Sequence, residues 1–434
     1  MQLKNSILKL PLYWLAIFYL IWLLFILVFF GYTPSNDGMG YLEYAQLCLQ
    51  EKQPYPTTTI YQTTPFIWNI GIINLTELSL WLTHSIKPLL IVLCIMKAAT
   101  ALFIGLITQR LFSLRVAVVT MLLFIIYPNN WGQSTMISSE IPSTCLAVIA
   151  TWIILTALDQ QNIKNIISKF LIAGFILGLA NWFRPTATIF IIAIITCLAL
   201  FQRRYFLQRV FAFLAGYFIF IAVVGTSCWL RTGHFVYQSR SYWFSMVDEC
   251  YDGAEVAPHW GQPIWPEGYP RYIENHEQMD CFAFDSIWRE RSFEWLKDNK
   301  LQYISKLPGR LYYMYQADID YMSTFIQDKS HSENNYITLP YRHLLSEWHT
   351  LDRAQWFSLI SMIYYAILLI MFIIGAVLLL RKRPFNMTMM PLFIVTIGTL
   401  MLIIVMHGET RFKDPLMPFL FILAAIPFNK ILKR

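Results

Sequence analysis

The sequence is short of charge. Only 14% of its 434 residues are Asp, Glu, Lys or Arg, whereas 57% are hydrophobic. Soluble globular chains carry about 25% charged residues. The mean hydropathy of +0.49 agrees with this shortage. The composition excludes an ordinary soluble multidomain protein and indicates an integral membrane protein.

Several motifs of soluble and energy-driven enzymes are also absent. The sequence has no H-E-x-x-H, no Walker loop, no G-x-S-x-G and no C-x-x-C. Metallohydrolases, ATP-driven pumps and thiol oxidoreductases therefore lack support. The apolar segments run continuously and do not alternate with polar residues, which excludes a porin-like barrel.

Long apolar runs are abundant instead. Ten of them are candidate membrane spans: 13–30, 88–109, 115–130, 140–158, 168–183, 185–201, 208–230, 356–380, 388–406 and 413–431. A helix of about 20 apolar residues crosses a bilayer. We therefore predict an all-α polytopic membrane protein with about ten transmembrane helices. The first run has no A-x-A cleavage pattern, so we predict a retained helix.

The charges predict the orientation of these spans. Basic residues concentrate in the connections expected on the cytoplasmic side. These are Lys4, Lys9, Arg110, Arg115, Lys164, Lys169, Arg203, Arg204, Arg209, Arg381, Lys382, Arg383, Lys430, Lys433 and Arg434. Asp159 is the only one of the 26 acidic residues on that side. Both termini are therefore predicted to be cytoplasmic, and the polar loops extracytoplasmic.

This topology divides the chain into three parts. An N-terminal membrane module, 1–230, holds seven spans and a first outer loop at 31–87. A large, mainly helical outer loop covers 231–355, and a C-terminal module at 356–434 holds the last three spans. Cys250 and Cys281 lie 31 positions apart in the large loop, where an oxidising compartment would permit a disulfide. Two free thiols are equally compatible with the sequence, and Cys48 is a competing partner.

The first outer loop contains an acidic candidate. The sequence SNDGMGYLEYAQ follows the first span and predicts a helix on the membrane surface. Asp37 would then lie at the rim of a membrane-facing cavity, where it could act on a lipid-linked substrate. The alternative is that Asn36 or Asp37 is only a helix N-cap. Residues 65–84 predict a second interfacial helix, and the topology fails if they span the membrane.

Charged residues near the bilayer form the next group of candidates, because a charge placed there is costly. They are Lys97 within the second predicted span, Glu140 at the start of the fourth, Arg184 in the turn NWFRP, and His407, Glu409 and Arg411 in HGETRFKDP. Lys97 could simply snorkel, Arg184 could be a turn residue beside Pro185, and Glu140 could complement a helix dipole. The last three residues favour a site for an anion such as phosphate.

These segments together resemble the GT-C glycosyltransferases, in particular bacterial relatives of the protein O-mannosyltransferases and aminoarabinose lipid A transferases. The resemblance rests on Asp37 after the first span, on Tyr127, Pro128 and Glu140, on the NWFRP turn, and on the closing ETRFKDPLMP. It implies transfer of a sugar from a polyprenyl-phosphate donor to an extracytoplasmic acceptor by inverting displacement, with Asp37 as general base.

The resemblance also implies roles for the remaining candidates. Lys97, Arg184 and Arg411 would hold the leaving phosphate, and Glu140 and His407 would orient them or contact the sugar. No metal and no cofactor is expected, since the first outer loop has no D-x-D. Partners would be the lipid-linked donor, a glycan, lipid or protein acceptor and membrane lipids, with no nucleic acid. The location would be a bacterial inner membrane with a periplasmic active site.

Two other functions fit parts of the pattern. A lipid or sugar transporter or flippase would place ionisable residues near the midplane, as Lys97 is placed, but the sequence shows no internal repeat. An envelope polysaccharide polymerase or ligase would share the outer acids and arginines. The sequence separates this third function poorly from a glycosyltransferase.

Overall fold

The structure is a computed structural model that describes residues 10–55, 65–250, 270–275, 279, 281–330, 348–351, 353–381, 385–405 and 408–431. Within these ranges the chain forms helices and no strands. The N-terminal helices are α1 (Leu10–Phe30), α2 (Asn36–Glu51), α3 (Ile70–Thr83), α4 (Lys87–Leu111), α5 (Leu114–Ile126), α6 (Pro128–Gln133), α7 (Glu140–Ala157), α8 (Ile163–Phe183), α9 (Thr188–Phe201) and α10 (Phe206–Thr232). The later helices are α11 (Ser241–Cys250), α12 (Phe284–Asp298), α13 (Lys300–Ser305), α14 (Leu307–Tyr315), α15 (Asp320–Ser330), α16 (Arg353–Leu380), α17 (Met390–Val405), α18 (Met417–Ala425) and α19 (Phe428–Ile431).

The protein is an integral, multi-pass membrane protein, as predicted. Seven described segments are long and apolar enough to cross a bilayer: Leu10–Phe30, Lys87–Leu111, Glu140–Ala157, Ile163–Phe183, Phe206–Thr232, Gln355–Leu380 and Met387–Val405. The all-α class is confirmed, but the count of about ten is not. The other three predicted spans are shorter or broken helices.

Prolines explain two of these breaks. The predicted span 115–130 ends as α5 before Pro128, which opens the separate short helix α6. The last predicted span, 413–431, is divided into α18 and α19 around Pro427. Proline lacks the N–H that an unbroken helix needs, so a helix commonly ends just before it. Continuous apolar sequence therefore does not guarantee one continuous helix.

The first outer loop holds two helices where the sequence predicts two. Five residues separate α2 from α1, and α2 packs against α3, which also contacts α4 and α8. Helix α3 has 14 residues. At about 1.5 Å per residue it is shorter than a hydrocarbon core of about 30 Å.

Helices α8 and α10 pack closely against each other. Gly174 of α8 lies against the backbone of α10 at Phe213, and Gly216 of α10 lies against the backbone of α8 at Leu171. A methyl group at either glycine would overlap a carbonyl oxygen of the other helix. Small residues allow membrane helices to approach in this way.

Two ion pairs mark the opposite ends of the helix bundle. Arg110 at the end of α4 pairs with Asp159 just after α7, so these two residues share one end. Glu140 begins α7 and Arg184 follows α8, so both lie at the opposite end, together with the start of α2. We call this opposite end the site end.

Helices of the large loop pack over the site end. Tyr303 donates to the carbonyl of Ile404 at 2.6 Å, and Arg310 donates to the carbonyl of Ile403 at 3.1 Å, so both bond the last turn of α17. A small separate core forms around the fully buried Trp288. Cys250 is described, but the side chain of Cys281 lies outside the described residues, so the disulfide stays a prediction.

Candidate functional site at the site end of the bundle

Helix α2 begins in a way that leaves Asp37 available for another partner. Ser35 is the N-cap, and its Oγ accepts the backbone N–H of Gly38 at 3.2 Å. The interpretation of Asn36 or Asp37 as the N-cap is therefore wrong. Asp37 lies in the first turn of α2, where a carboxylate is also favoured by the helix dipole.

Asp37 is paired with an arginine from the far end of the chain. The Nη1 atom of Arg411 donates to Oδ2 of Asp37. Arg411 lies on a short 3₁₀ turn, Thr410–Lys413, and its Nε is 2.9 Å from Oε1 of Glu409. The Arg411 and Asp37 side chains keep 26% and 27% of their surface exposed. The pair is therefore accessible to a ligand.

A second ion pair lies deeper in the same place. Arg184 Nη1 donates to Oε1 of Glu140, and both side chains are almost completely buried. Ser138 donates to Oε2 of Glu140 at 2.8 Å. These bonds satisfy both oxygens of the carboxylate. Glu140 is therefore more than a first-turn charge beside a helix dipole, and Arg184 is not directed to lipid headgroups.

Polar side chains join this pair to the first outer loop. Arg184 also donates to Oγ of Ser139 at 3.2 Å. Asn69, which precedes α3, donates to the same Oγ at 3.1 Å and to the hydroxyl of Tyr41 at 2.9 Å. The starts of α2, α3 and α7 are thus held in one hydrogen-bonded arrangement. We call Asp37, Glu140, Arg184, Glu409 and Arg411 the arginine cluster.

Burial and neighbouring charges act against each other at Asp37. Burial raises the pKa of the Asp37 carboxyl above its ordinary value, and Glu140 and Glu409 raise it further, whereas Arg411 and Arg184 lower it. Burial disfavours the charge of Arg411, but Asp37 and Glu409 outweigh it, so the Arg411 pKa lies well above its usual value. Arg411 stays cationic, and Asp37 is a stronger base than an ordinary aspartate.

A second polar network lies next to the arginine cluster. Lys97 of α4 donates to Oε1 of Gln133, the last residue of α6. The Nε2 of Gln133 donates to Oδ2 of Asp414 at 3.0 Å and to Oγ of Ser138 at 3.3 Å. A cavity of about 30 Å³ lies among these side chains, and Glu140 also lines it. This volume is enough for a water molecule.

The same network contains a fully enclosed ion pair. Lys413 Nζ is 3.3 Å from Oδ1 of Asp318, and their side chains are 0% and 2% exposed. Asp318 also accepts from the Tyr127 hydroxyl and from Asn129 Nδ2, the latter at 3.2 Å. We call Lys97, Gln133, Asp318, Lys413 and Asp414 the lysine cluster.

The structure therefore brings together most of the site residues that the sequence predicts. Asp37, Glu140, Arg184, Glu409 and Arg411 form one cluster, and Lys97 belongs to the adjoining one. His407 lies outside the described residues. Sequence reasoning missed four residues of the lysine cluster: Gln133, Asp318, Lys413 and Asp414. Lys413 and Asp414 stand in HGETRFKDP, so the same loop held a signal for them.

No metal centre emerges from the described part of the chain. Its His, Cys, Asp and Glu side chains do not form a group of three that could hold a metal ion. Asp318 and Asp320 form a D-x-D pair, but Asp318 is bonded to Lys413 and Asp320 accepts from the Thr410 hydroxyl.

Comparisons with known proteins bear on this site. A model of the family described as dolichyl-phosphate-mannose-protein mannosyltransferase matches residues 44–229, a range that includes Glu140 and Arg184. The apo crystal structure of the oligosaccharyltransferase of Archaeoglobus fulgidus superposes on the chain with a TM-score of 0.51. The chain has a GT-C fold. No curated protein sequence matches it significantly.

The structural match covers nearly all of this chain but only about half of the oligosaccharyltransferase. The superposition covers 96% of this chain and 51% of the oligosaccharyltransferase, at 12% sequence identity. The chain thus spans about half the length of that GT-C protein. The resemblance to GT-C glycosyltransferases is confirmed by a sequence match over 44–229 and by the fold over nearly the whole chain.

Proposed function

We propose that this GT-C protein is a membrane glycosyltransferase that moves a sugar from a polyprenyl-phosphate donor to an acceptor hydroxyl or amine. The observation that carries the proposal is the ion pair of Asp37 and Arg411, which is partly exposed and lies beside Arg184. The sequence match to a mannosyltransferase family that uses a lipid-phosphate sugar supports the donor class.

Asp37 is the proposed general base. Its carboxylate removes the acceptor proton while the acceptor atom attacks the anomeric carbon. The bond between that carbon and the phosphate oxygen breaks, and its electron pair leaves with the lipid phosphate. A single displacement of this kind inverts the anomeric configuration. The raised pKa of Asp37 favours proton acceptance over that of an ordinary aspartate.

Arg411 is the proposed ligand of the leaving phosphate, with Arg184 as the second cation of the site. A guanidinium matches two phosphate oxygens with parallel N–H groups. Arg411 is the more exposed of the two, and Arg184 lies behind it against Glu140. A phosphate bound to Arg411 would replace Asp37 as its partner and leave the carboxylate to the acceptor. Glu409 would orient Arg411, and Glu140 would orient Arg184.

The remaining assignments follow from the predicted topology. We propose that the site faces the extracytoplasmic side, with both termini in the cytoplasm, in a bacterial inner membrane. The acceptor would be a glycan, lipid or protein of the cell envelope. We propose no resident metal or cofactor, since the arginines supply the positive charge that a leaving phosphate requires.

The test is transfer of labelled sugar from a panel of polyprenyl-phosphate sugars, in membranes that contain wild type or Asp37→Asn at equal amounts. Wild type should consume one donor and give a product of inverted anomeric configuration, and Asp37→Asn should not. A fully active Asp37→Asn would remove the base assignment. If wild type consumed no donor but moved it between leaflets, the transporter function would replace this proposal.

A further inference from the structure

A single buried amide connects the lysine cluster to the arginine cluster. Gln133 accepts from Lys97 and donates to both Asp414 and Ser138. Its side chain is almost completely buried. An amide can accept and donate at the same time, whereas an ionised carboxylate only accepts and an ammonium only donates. Gln133 is therefore suited to join a cation on one side to an anion and a hydroxyl on the other.

The three partners of Gln133 belong to different parts of the fold. Lys97 lies within α4, which is long and apolar enough to cross a membrane. Ser138 lies in the segment that leads into α7, and Asp414 follows the 3₁₀ turn that carries Arg411. The backbone N–H of Asp414 bonds the carbonyl of Arg411 at 3.2 Å. Asp414 is thus bonded directly to the turn that carries Arg411, and its Oδ2 also accepts from the Tyr321 hydroxyl at 2.8 Å.

The other branch from Gln133 leads to the second arginine. Ser138 accepts from Gln133 and donates to Glu140, which pairs with Arg184. One branch therefore ends at Asp414, beside the turn of Arg411, and the other ends at Glu140, the partner of Arg184.

We propose that Gln133 is a positioning residue that sets the spacing between Arg184 and Arg411, and so the fit of both guanidinium groups to a lipid-linked phosphate. This role rests on the proposed function, because it assumes that the two arginines receive the phosphate. Gln133 itself touches no substrate. It acts through Asp414 on one side and through Ser138 on the other.

The first test measures binding of a defined probe to the full-length protein in nanodiscs. Geranylgeranyl phosphate supplies the prenyl chain and phosphate, and geranylgeraniol, which lacks the phosphate, is the control ligand. Gln133→Leu and Gln133→Glu should each bind the phosphate probe about 10-fold or more weakly than wild type, which corresponds to the loss of one hydrogen bond to a charged group. Binding of geranylgeraniol should not change.

A paired substitution separates positioning from simple loss of packing. Gln133→Glu removes the amide donor and places a carboxylate opposite Asp414. Adding Asp414→Asn returns an amide to the pair with donor and acceptor exchanged, and the carboxylate at position 133 still accepts from Lys97. The double variant should recover at least half of the affinity that Gln133→Glu loses, measured as the logarithm of Kd. No recovery would contradict the positioning role.

An amide outside both clusters provides the control for amide removal. Gln238 is half-buried and accepts from Asn181 Nδ2 at 3.1 Å, and neither residue belongs to either cluster. Gln238→Leu should bind the probe within about 2-fold of wild type. Equal losses in Gln238→Leu and Gln133→Leu would show a general effect of amide removal and would contradict the proposal.

A second measurement does not depend on the probe. Amide hydrogen exchange should be at least about 10-fold faster in Gln133→Leu than in wild type at Phe412, Asp414 and Leu416, whose N–H groups are bonded within the Arg411 turn. Unchanged exchange there would overturn the positioning role even if the probe binds. Faster exchange with no probe binding by wild type would support the positioning of the turn and overturn the phosphate function instead.

Discussion

The arginine cluster and the lysine cluster contain similar groups but differ in access. Asp37 and Arg411 keep about a quarter of their surface exposed, whereas Lys413 and Asp318 are enclosed. An enclosed ion pair cannot change partners without leaving a charge unpaired in a medium of low dielectric constant. In the partly exposed pair, a phosphate can replace the carboxylate of Asp37 as the partner of Arg411. This difference in access predicts that the arginine cluster binds a ligand and that the lysine cluster stabilises the fold.

The comparison predicts the largest effect at the enclosed pair. Lys413→Met should lower the free energy of unfolding by about 3 to 5 kcal/mol, because Asp318 is left buried without its cation. Denaturation in detergent micelles, followed by tryptophan fluorescence, measures this loss. Lys164→Met, at an exposed lysine, is the control and should change stability by less than about 0.5 kcal/mol. A stable Lys413→Met would remove the distinction between the clusters.

Arg411→Gln should have the opposite profile, with a large effect on transfer and a small one on stability. Loss of one cation at a developing charge costs about 100- to 1000-fold in rate. The pair with Asp37 is partly exposed, so stability should change by about 1 kcal/mol or less. Sugar transfer and denaturation of the same preparation measure both. Unfolding comparable to that of Lys413→Met would contradict the account.

The pH dependence of sugar transfer should report the pKa of Asp37 and the effect of Arg411 on it. Because the pKa of Asp37 is raised, kcat/KM should rise with pH through a midpoint above that of an ordinary aspartate. Arg411 lowers this pKa, so the residual activity of Arg411→Gln should show a midpoint at higher pH than wild type. The folded state holds this proton more tightly than the unfolded chain, so the contribution of Asp37 to stability is present at low pH and is lost as pH rises. An unchanged midpoint in Arg411→Gln would show that Arg411 does not lower the pKa of the group that controls transfer.

The smallest effect on sugar transfer is expected for Glu409, the most exposed residue of the arginine cluster's ion pairs. Glu409 is 2.9 Å from Nε of Arg411, and its side chain is 35% exposed. Exposed ion pairs contribute about 0.2 to 1 kcal/mol. Glu409→Gln should therefore raise the KM for the donor by no more than about 5-fold and leave kcat nearly unchanged. A loss as large as that of Arg411→Gln would place Glu409 among the groups that act in the reaction.

The sequence predicts the class of fold because apolar runs and basic connections directly reflect the bilayer. It also selects Asp37, Glu140, Arg184 and Arg411, since a charge near the membrane is costly and marks a special environment. It does not predict the number of continuous helices. The break after α5 and the division between α18 and α19 depend on proline positions within runs that stay apolar.

The lysine cluster could not be predicted in the same way. Asp318 lies in a long outer loop, where an aspartate is ordinarily solvated, and only the docking of that loop encloses it with Lys413. Gln133 carries no charge and gives no signal in a count of ionisable residues. The cap of α2 is Ser35 and not Asn36 or Asp37, although all three residue types are suitable caps. Such choices are decided by tertiary contacts.

The most direct measurement of the central claim is single-turnover transfer from bound donor by Asp37→Asn, with donor binding measured on the same protein. Glu43→Gln is the matched control, because Glu43 is an exposed carboxylate on the same helix. The account predicts that Asp37→Asn binds the donor within about 10-fold of wild type but transfers sugar about 100- to 10,000-fold more slowly, while Glu43→Gln matches wild type in both. Transfer by Asp37→Asn at the wild-type rate from bound donor would contradict the role of Asp37 as the base.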